Sequence, residues 1–167
     1  MKLGIISDTH DRLEMILKAV DVFNGAKVDL VIHAGDYVSP FTASAFRALE
    51  ARIVGVFGNN DGDRTFLRKR FQEIGAEIKD YFALVDAGGT KVGVLHGQDG
   101  ELLETLSSSE AIDVLICGHT HNALIERKGK VLLVNSGEAS GYLSGRSTVA
   151  ILETRTQECR LIELSGS

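Results

Sequence analysis

The chain has 167 residues and a formal charge of −5, because 18 Lys and Arg residues stand against 23 Asp and Glu residues. This length suits one domain with its own hydrophobic core, and 44% hydrophobic with 25% charged residues excludes a wholly disordered chain. The acid excess argues against general binding to nucleic acid or to anionic membranes, since proteins of those classes usually carry a basic face.

Three short aliphatic runs in the first half of the chain predict buried strands. They cover residues 2–7, 30–33 and 53–57, and each is followed by turn-forming residues. Amphipathic segments lie between and after these runs. Because strand–helix–strand repetition of this kind builds right-handed crossovers, it predicts a parallel sheet.

The amphipathic segments predict three helices. The first spans residues 13–23, and the dipeptide Asn24-Gly25 is expected to end it. An Ala-rich segment predicts a second helix within residues 40–50. The third is expected to be capped by Asp63 and closed by Gly75.

The second half of the chain is mainly strands. Two apolar runs around Gly88-Gly89, at residues 83–86 and 91–95, predict a hairpin, and a short helix is expected near residues 101–106. The pattern is typical of an antiparallel extension to an α/β start. Because there is no repeat or linker, we expect a single domain over residues 1–164 and a frayed tail at 165–167. The remaining predicted strands are Val114–Cys117, 124–127, 131–135, 148–152 and 159–164.

Cysteine content and hydropathy bear on location. Cys117 and Cys159 are too few for a disulfide framework, so a reducing cytoplasm is expected. No apolar run approaches the ~20 residues that span a bilayer, and the segment MKLGIISDTH reaches an acidic residue too early for a signal peptide. We therefore expect a cytoplasmic protein with no membrane partner.

Polar residues that bind metals follow five of the predicted strands. Ligands of α/β sheets gather outside the carboxyl ends of strands, so we expect these five stretches to converge on one edge. Carboxylate and imidazole ligands suit Mn, Ni, Fe, Co or Zn, and no thiolate set is available for a structural zinc site. Seven candidates exceed what one tetrahedral ion takes, whereas two ions roughly 3.5–4 Å apart, sharing one carboxylate, fit the count. The candidates are Asp8, His10, Asp36, Asn59, His96, His119 and His121.

The order of these motifs resembles that of the calcineurin-like metallophosphoesterases, in particular their small single-domain phosphodiesterase branch. The resemblance runs from residue 2 to about residue 138. It implies an α/β fold (α+β by some schemes), a four-layer αββα sandwich of two mixed β-sheets flanked by helices. The motifs that carry it are Asp8-x-His10, Gly35-Asp36, Gly58-Asn59-x-Asp61, His96 and Gly118-His119-x-His121.

The resemblance also implies a ligand set and a reaction. Asp36 would bridge two divalent ions, and a hydroxide bridging them would attack small or activated phosphodiesters in line. Asp36, Asn59 and Asn60 would be the catalytic residues, the second and third as amide donors. One ion would be held by Asp8, His10, Asp36 and His121, and the other by Asp36, Asn59, His96 and His119.

Other members of the resembling family raise two further points. Larger members place a histidine after the Gly-Asn pair as the general acid, where this chain has Asn60, and an amide cannot donate a proton usefully at neutral pH.

The retromer scaffold subunit resembles this branch in fold, so the alternative function is a non-catalytic metal-binding scaffold. A small phosphate ester is the expected partner, nucleic acid is not expected, and a homo-oligomer is expected because the branch includes them.

Several residues keep two interpretations. His33, inside a predicted strand, is expected to pack in the core or to contact a metal ligand rather than bind metal itself. Asp61 is expected either to orient a histidine ligand or to cap the next helix. The segment 135–138 either lines the site or forms an ordinary turn. Cys117 is expected to be an inert buried thiol.

Overall fold

The computed structural model describes residues 1–164, so the predicted frayed tail at 165–167 lies outside the described residues. None of the helices in this range has the length and hydrophobicity of a membrane span. The helices are α1 (Leu13–Ala26), a 3₁₀ helix (Pro40–Phe46), α2 (Arg64–Gln72) and α3 (Gly100–Ser107). The strands are β1 (Lys2–Ile6), β2 (Leu30–His33), β3 (Arg52–Val56), β4 (Glu77–Lys79), β5 (Phe82–Ala87), β6 (Thr90–Leu95), β7 (Val114–Cys117), β8 (Ala123–Lys128), β9 (Val131–Ser136), β10 (Thr148–Glu153) and β11 (Glu158–Glu163).

The strands form two mixed sheets. The first has the order β11-β10-β1-β2-β3-β4, in which β1 to β4 are parallel, β10 is antiparallel to β1 and β11 is antiparallel to β10. The second has the order β5-β6-β7-β9-β8, in which β6, β7 and β9 are parallel and both edge strands are antiparallel. The parallel sheet predicted for the first half is confirmed.

The expectation of one antiparallel extension is wrong. The strands β8 and β9 belong to the second sheet, whereas β10 and β11 return to the first sheet beside β1. In this position both faces of β10 are buried: Ala150 and Leu152 fill the space between the sheets, and Val149 and Ile151 pack in the cluster on the outer face of the first sheet. The short strand β4 was missed, since it has only three residues and one of them is buried.

The two sheets pack face to face, and helices cover both outer faces. Ile5 and Ile32 of the first sheet meet Val94 and Ile116 of the second in a continuous buried cluster. The helices α1, α2 and the 3₁₀ helix bury their apolar residues on the outside of the first sheet, while α3 packs Leu103 against the second. The predicted four-layer αββα sandwich is therefore confirmed.

Two of the helix predictions need local correction, and a third is confirmed. Helix α1 runs through Gly25 to Ala26, and Lys27 takes the left-handed conformation at φ 51° instead. The backbone N–H groups of Lys27 and Val28 bond back to the carbonyls of Asn24 and Phe23, a Schellman closure that also buries Val28. The segment 40–50 forms only the short 3₁₀ helix. The third helix is capped and closed as expected. Asp63 accepts the backbone N–H of Phe66 at 3.0 Å, and after the last helical residue, Gln72, Gly75 closes the helix at φ 78° with its N–H bonded back to the carbonyl of Gln72.

We expect Gly4→Ala to lower the free energy of unfolding by about 1–3 kcal/mol, the usual cost of overpacking a core. A Cβ atom at Gly4, in the middle of β1, would lie 2.7 Å from the ring of Phe23, so α1 would have to move off the sheet. Urea denaturation of the metal-free protein measures the change.

The matched control is Gly25→Ala. Gly25 is helical, exposed and has no atom within 4 Å of an added Cβ, so this change should raise stability by about 0.5–1 kcal/mol. Equal denaturation midpoints for the two variants would contradict the packing argument.

Candidate metal centre

The structure brings all seven predicted ligands to one rim of the sandwich. They lie in the loops that follow β1, β2 and β3 of the first sheet and β6 and β7 of the second. The close approach of two of these loops requires a glycine, since a Cβ atom at Gly58 would lie 2.1 Å from Asp36 Oδ1. The convergence expected at one sheet edge is thus spread over the ends of two facing sheets.

One group of donor atoms surrounds Asp8. Its Oδ1 atom lies 3.5 Å from His121 Nε2 and 3.8 Å from His10 Nε2. The rings of His10 and His121 stack with centroids 5.2 Å apart, and His10 Nε2 is also 3.7 Å from Asp36 Oδ2. These atoms are close enough to share one metal ion.

A second group lies on the other side of Asp36. Asp36 Oδ2 is 3.3 Å from His96 Nε2, and Asn59 Oδ1 is 3.0 Å from both His96 Nε2 and His119 Nδ1. Asp8 Oδ1 is also 4.0 Å from His96 Nε2. Asp36 therefore lies within reach of both groups, the position that a bridging carboxylate would need, and Asp8 borders both as well.

The donor atoms fit a cation. Asp8 is fully buried and Asp36 is 1% exposed, yet Asp8 Oδ1 and His10 Nε2 make no hydrogen bond to any residue in the range 1–164. A buried carboxylate oxygen without a partner is costly, and a divalent ion held by oxygen and imidazole nitrogen would supply one. Burial opposes the charge of Asp36, but His96 and the hydrogen bonds from Asn60 outweigh it and hold its pKa well below the usual range.

Two histidines are oriented by a hydrogen bond at the nitrogen that faces away from the donor cluster. His96 Nδ1 donates to the carbonyl of Ala34 at 2.8 Å, which leaves Nε2 free to bind metal. His121 Nδ1 donates to Glu138 Oε2 at 2.7 Å and likewise directs Nε2 toward Asp8. Histidine ligands in metalloproteins commonly have this arrangement.

The sequence interpretation included Glu138 only within segment 135–138 and predicted no contact for its side chain. Glu138 is fully buried, and the Ser140 hydroxyl donates to its Oε2 atom at 2.9 Å. Segment 135–138 thus supports the site and is not an ordinary turn. The available signal was an acidic residue two positions after the end of the buried strand β9, but its partner His121 lies seventeen residues earlier.

Asp61 does neither of the two things expected of it. Its Oδ2 atom accepts the backbone N–H groups of Asp36 at 3.1 Å and Gly58 at 2.7 Å, and Oδ1 accepts that of Val38 at 2.8 Å. None of these hydrogen bonds goes to a histidine, and Asp63 caps the helix. Asp61 therefore joins the loops that carry Asp36 and Asn59, because three backbone donors there need one acceptor.

His33 and Asn60 take different positions. His33 is fully buried, stacks on Tyr37 at 3.7 Å between centroids, and accepts the Gly35 N–H at Nδ1. Burial keeps its pKa well below the usual value, so it is a neutral core histidine. Asn60 donates to Asp36 twice, from its backbone at 2.9 Å and its side chain at 2.7 Å.

The backbone at the site is conformationally unusual. Positive φ is uncommon outside glycine and persists only where the surroundings enforce it. Residues with positive φ cluster at functional sites, and five of the seven candidate ligands have a positive φ. They are Asp8 (φ 53°), His10 (φ 40°), Asp36 (φ 60°), His119 (φ 67°) and His121 (φ 60°).

The two thiols lie outside this chemistry. Burial raises the pKa of Cys117 to about 12, and burial also raises that of Cys159 to about 11. Neither thiol forms an appreciable thiolate at neutral pH, so Cys117 is inert despite its place beside Gly118.

Comparisons with known proteins agree with this geometry. Residues 1–157 match the family model described as the calcineurin-like phosphoesterase superfamily domain. The chain is 44% identical to phosphodiesterase MJ0936 of Methanocaldococcus jannaschii over 98% of its length and 99% of that protein. It is 38% identical to the probable metallophosphoesterase MJ0623 of the same organism, over 82% of this chain and 67% of that protein.

Solved structures show the same fold. The structure of a novel archaeal phosphodiesterase superposes with a TM-score of 0.94 at 43% identity, covering 98% of this chain and all of that one. The zinc complex of Vps29 from Entamoeba histolytica superposes with a TM-score of 0.69 at 19% identity, over 99% of this chain and all of that one. The latter likeness concerns the fold alone.

We expect Glu138→Gln to weaken metal binding by about 10- to 100-fold, the usual effect of losing the partner of a histidine ligand. A neutral amide accepts the His121 proton less strongly and leaves the imidazole less basic. Calorimetric titration of Mn²⁺ into metal-free protein measures the affinity.

The control is Glu153→Gln, at the far end of the first sheet, where the Glu153 carboxylate lies 3.9 Å from the Lys2 ammonium. Equal Mn²⁺ affinity in the two variants would show that Glu138 has no such part.

Proposed function

We propose that this chain, which belongs to the calcineurin-like phosphoesterase superfamily, is a phosphodiesterase that uses two divalent metal ions to hydrolyse small or activated phosphodiesters. The observation that carries the proposal is the convergence of two buried carboxylates, four histidines and Asn59 from five loops. The 44% identity to a protein named phosphodiesterase, over nearly the whole of both chains, supports the diester as substrate.

Each ion would have a set of four ligands that share Asp36. The distances of 3.7 Å to His10 and 3.3 Å to His96 from the same Asp36 oxygen support this sharing. Mn, Ni, Fe, Co and Zn all suit oxygen and imidazole donors. The first set is Asp8, His10, Asp36 and His121, and the second is Asp36, Asn59, His96 and His119.

Two divalent ions supply a nucleophilic water near neutral pH and neutralise charge on the phosphoryl oxygens. The chain supplies the geometry in which this chemistry operates. Asn60 and Asp61 hold the Asp36 carboxylate and its backbone in place from two sides. Ala34 and Glu138 orient His96 and His121, so the ligand nitrogens need little reorganisation.

The leaving group receives little help from Asn60. Its side-chain amide already donates to Asp36 Oδ2, and an amide has no proton that it can transfer at neutral pH. We therefore infer that the departing oxygen leaves largely as an anion, which favours aryl and other activated esters.

The complete ligand set favours an enzyme over a non-catalytic scaffold. A degraded metal site would be expected of a scaffold, whereas here every candidate ligand is present and placed with the others. Failure to hydrolyse any ester across a broad panel of metals and substrates would favour the scaffold. Cytoplasmic location and a homo-oligomer stay predictions from the sequence.

We expect Asp36→Asn and His96→Ala each to reduce hydrolysis of bis(p-nitrophenyl) phosphate by more than about 100-fold, since the first removes the negative charge and one oxygen of the shared carboxylate and the second removes an imidazole donor. Chelation should abolish the wild-type activity, and added Mn²⁺ should restore it. Release of p-nitrophenolate, with metal content determined in parallel, measures both effects.

The control is Asp21→Asn, an exposed position on α1. Chelator-insensitive activity retained in both site variants would reject the assigned site.

We expect the rate constant for substituted-phenyl methyl phosphates to fall steeply as the pKa of the leaving phenol rises, because Asn60 cannot protonate the leaving oxygen. The slope of the logarithm of kcat against that pKa is the measurement. Asn60→His is the complementary variant, since an imidazole can donate a proton and should flatten the slope. Equal rates across the wild-type series would contradict this inference.

A further inference from the structure

Two large apolar side chains stand exposed beside the metal centre. Tyr142 is 61% exposed and Leu143 is 77% exposed, in the loop between β9 and β10. Together with His10, Asn60 and His121 they line a cavity of about 260 Å³. The apolar pair and the candidate metal ligands therefore border the same space.

This loop is held by several hydrogen bonds. Glu138 Oε1 accepts the backbone N–H of Leu143 at 2.9 Å and also that of Ser144, while Glu138 Oε2 holds His121. The backbone N–H of Ser140 donates to the Asp8 carbonyl at 3.1 Å. The loop that carries the apolar pair is thus tied to two of the candidate ligands.

A cation further restricts the aromatic ring. The Arg12 guanidinium lies 5.4 Å from the centroid of the Tyr142 ring, and its Nη1 atom donates to the carbonyl of Ser140. This contact fixes Tyr142 while leaving most of its surface open to solvent. A preorganised aromatic side chain loses little conformational entropy when it binds a ligand.

The rest of the cavity lining is polar, so the apolar pair indicates which part of a ligand would bind at that side of the cavity. A phosphodiester has an anionic centre and two organic groups, so its binding site needs polar atoms for the phosphate and an apolar contact for at least one ester group. Aromatic rings gain from offset stacking beyond the area that they bury. The volume lies just below the range of about 300–1,000 Å³ that is usual for small-molecule pockets, so the cavity suits a single ring better than a long chain.

We propose that Tyr142 and Leu143 form a subsite for a planar aromatic group of the substrate, either an aryl ring or a nucleobase. The subsite rests on the proposed phosphodiesterase function of the adjoining metal centre. Tyr142 supplies a stacking face, and Leu143 supplies an apolar contact beside it.

The test compares ligands that differ only in the ring. Phenylphosphonate against methylphosphonate examines an aryl group, and uridine 5′-phosphate against ribose 5-phosphate examines a nucleobase. Binding to the Mn²⁺-loaded protein is measured by calorimetry, with competitive inhibition of diester hydrolysis as a second readout. We expect the ring-bearing member of at least one pair to bind about 10-fold more tightly, the upper range for one aromatic contact.

Variants test whether the preference for the ring-bearing ligand depends on Tyr142 and Leu143. Tyr142→Ala and Leu143→Ala should each reduce the ratio of the two affinities, whereas Tyr142→Phe keeps the ring and should keep the ratio. The matched control is Leu84→Ala, because Leu84 is 60% exposed on the edge strand β5 and does not line the cavity.

The outcomes separate the subsite from the proposed function. A ring preference that the Tyr142 and Leu143 variants remove supports the subsite, and the pair that shows it identifies an aryl or a nucleobase source. If that preference holds but no diester is hydrolysed, the subsite stands and the phosphodiesterase function fails. Equal binding within both pairs, no binding at all, or a preference unchanged in the variants overturns the subsite, even where diesters are hydrolysed.

Discussion

Two carboxylates, Asp8 and Asp36, lie buried where the ends of the two sheets meet, and their negative charge constrains the residues around them. An ionised group removed from water needs hydrogen bonds or a positive partner. Within residues 1–164 the ion-pair partners of both are histidines and not Lys or Arg. A histidine side chain is only partly protonated at neutral pH, but its imidazole is a good metal ligand. Metal cations from solution are therefore best suited to neutralise the two carboxylates.

The groups that support this charge also position the rest of the site. Asp61 gathers three backbone N–H groups from the loops after β2 and β3, which keeps Asp36 close to Asn59. Glu138 does the same on the other side, with one oxygen on His121 and the other on the loop of Leu143. Glu138 therefore connects a candidate metal ligand to the loop that carries Tyr142 and Leu143.

The fold was predictable where local pattern and tertiary packing agree. The strands β2 and β7 have the predicted bounds, since both are short, mainly aliphatic runs buried on both faces and turn residues follow them. Prediction failed where packing overrode a local signal. Gly25 is a plausible helix terminator, yet α1 continues to Ala26 and is closed by Lys27, where the closure buries Val28. No local pattern could assign β10 to the first sheet, since its partner β1 is almost 150 residues away.

The sequence by itself determined the chemistry of the site. Two acids, four histidines and an asparagine after five aliphatic strands predict a site for divalent metal, because donor type and strand-end position are local properties. Only the tertiary structure decided how those donors are held and what adjoins them. It placed Glu138 on His121, Asp61 on the backbone of two loops, and Tyr142 with Leu143 beside the ligands. These are contacts between segments distant in the chain, and they arise from how the two sheets pack, which periodicity and spacing do not encode.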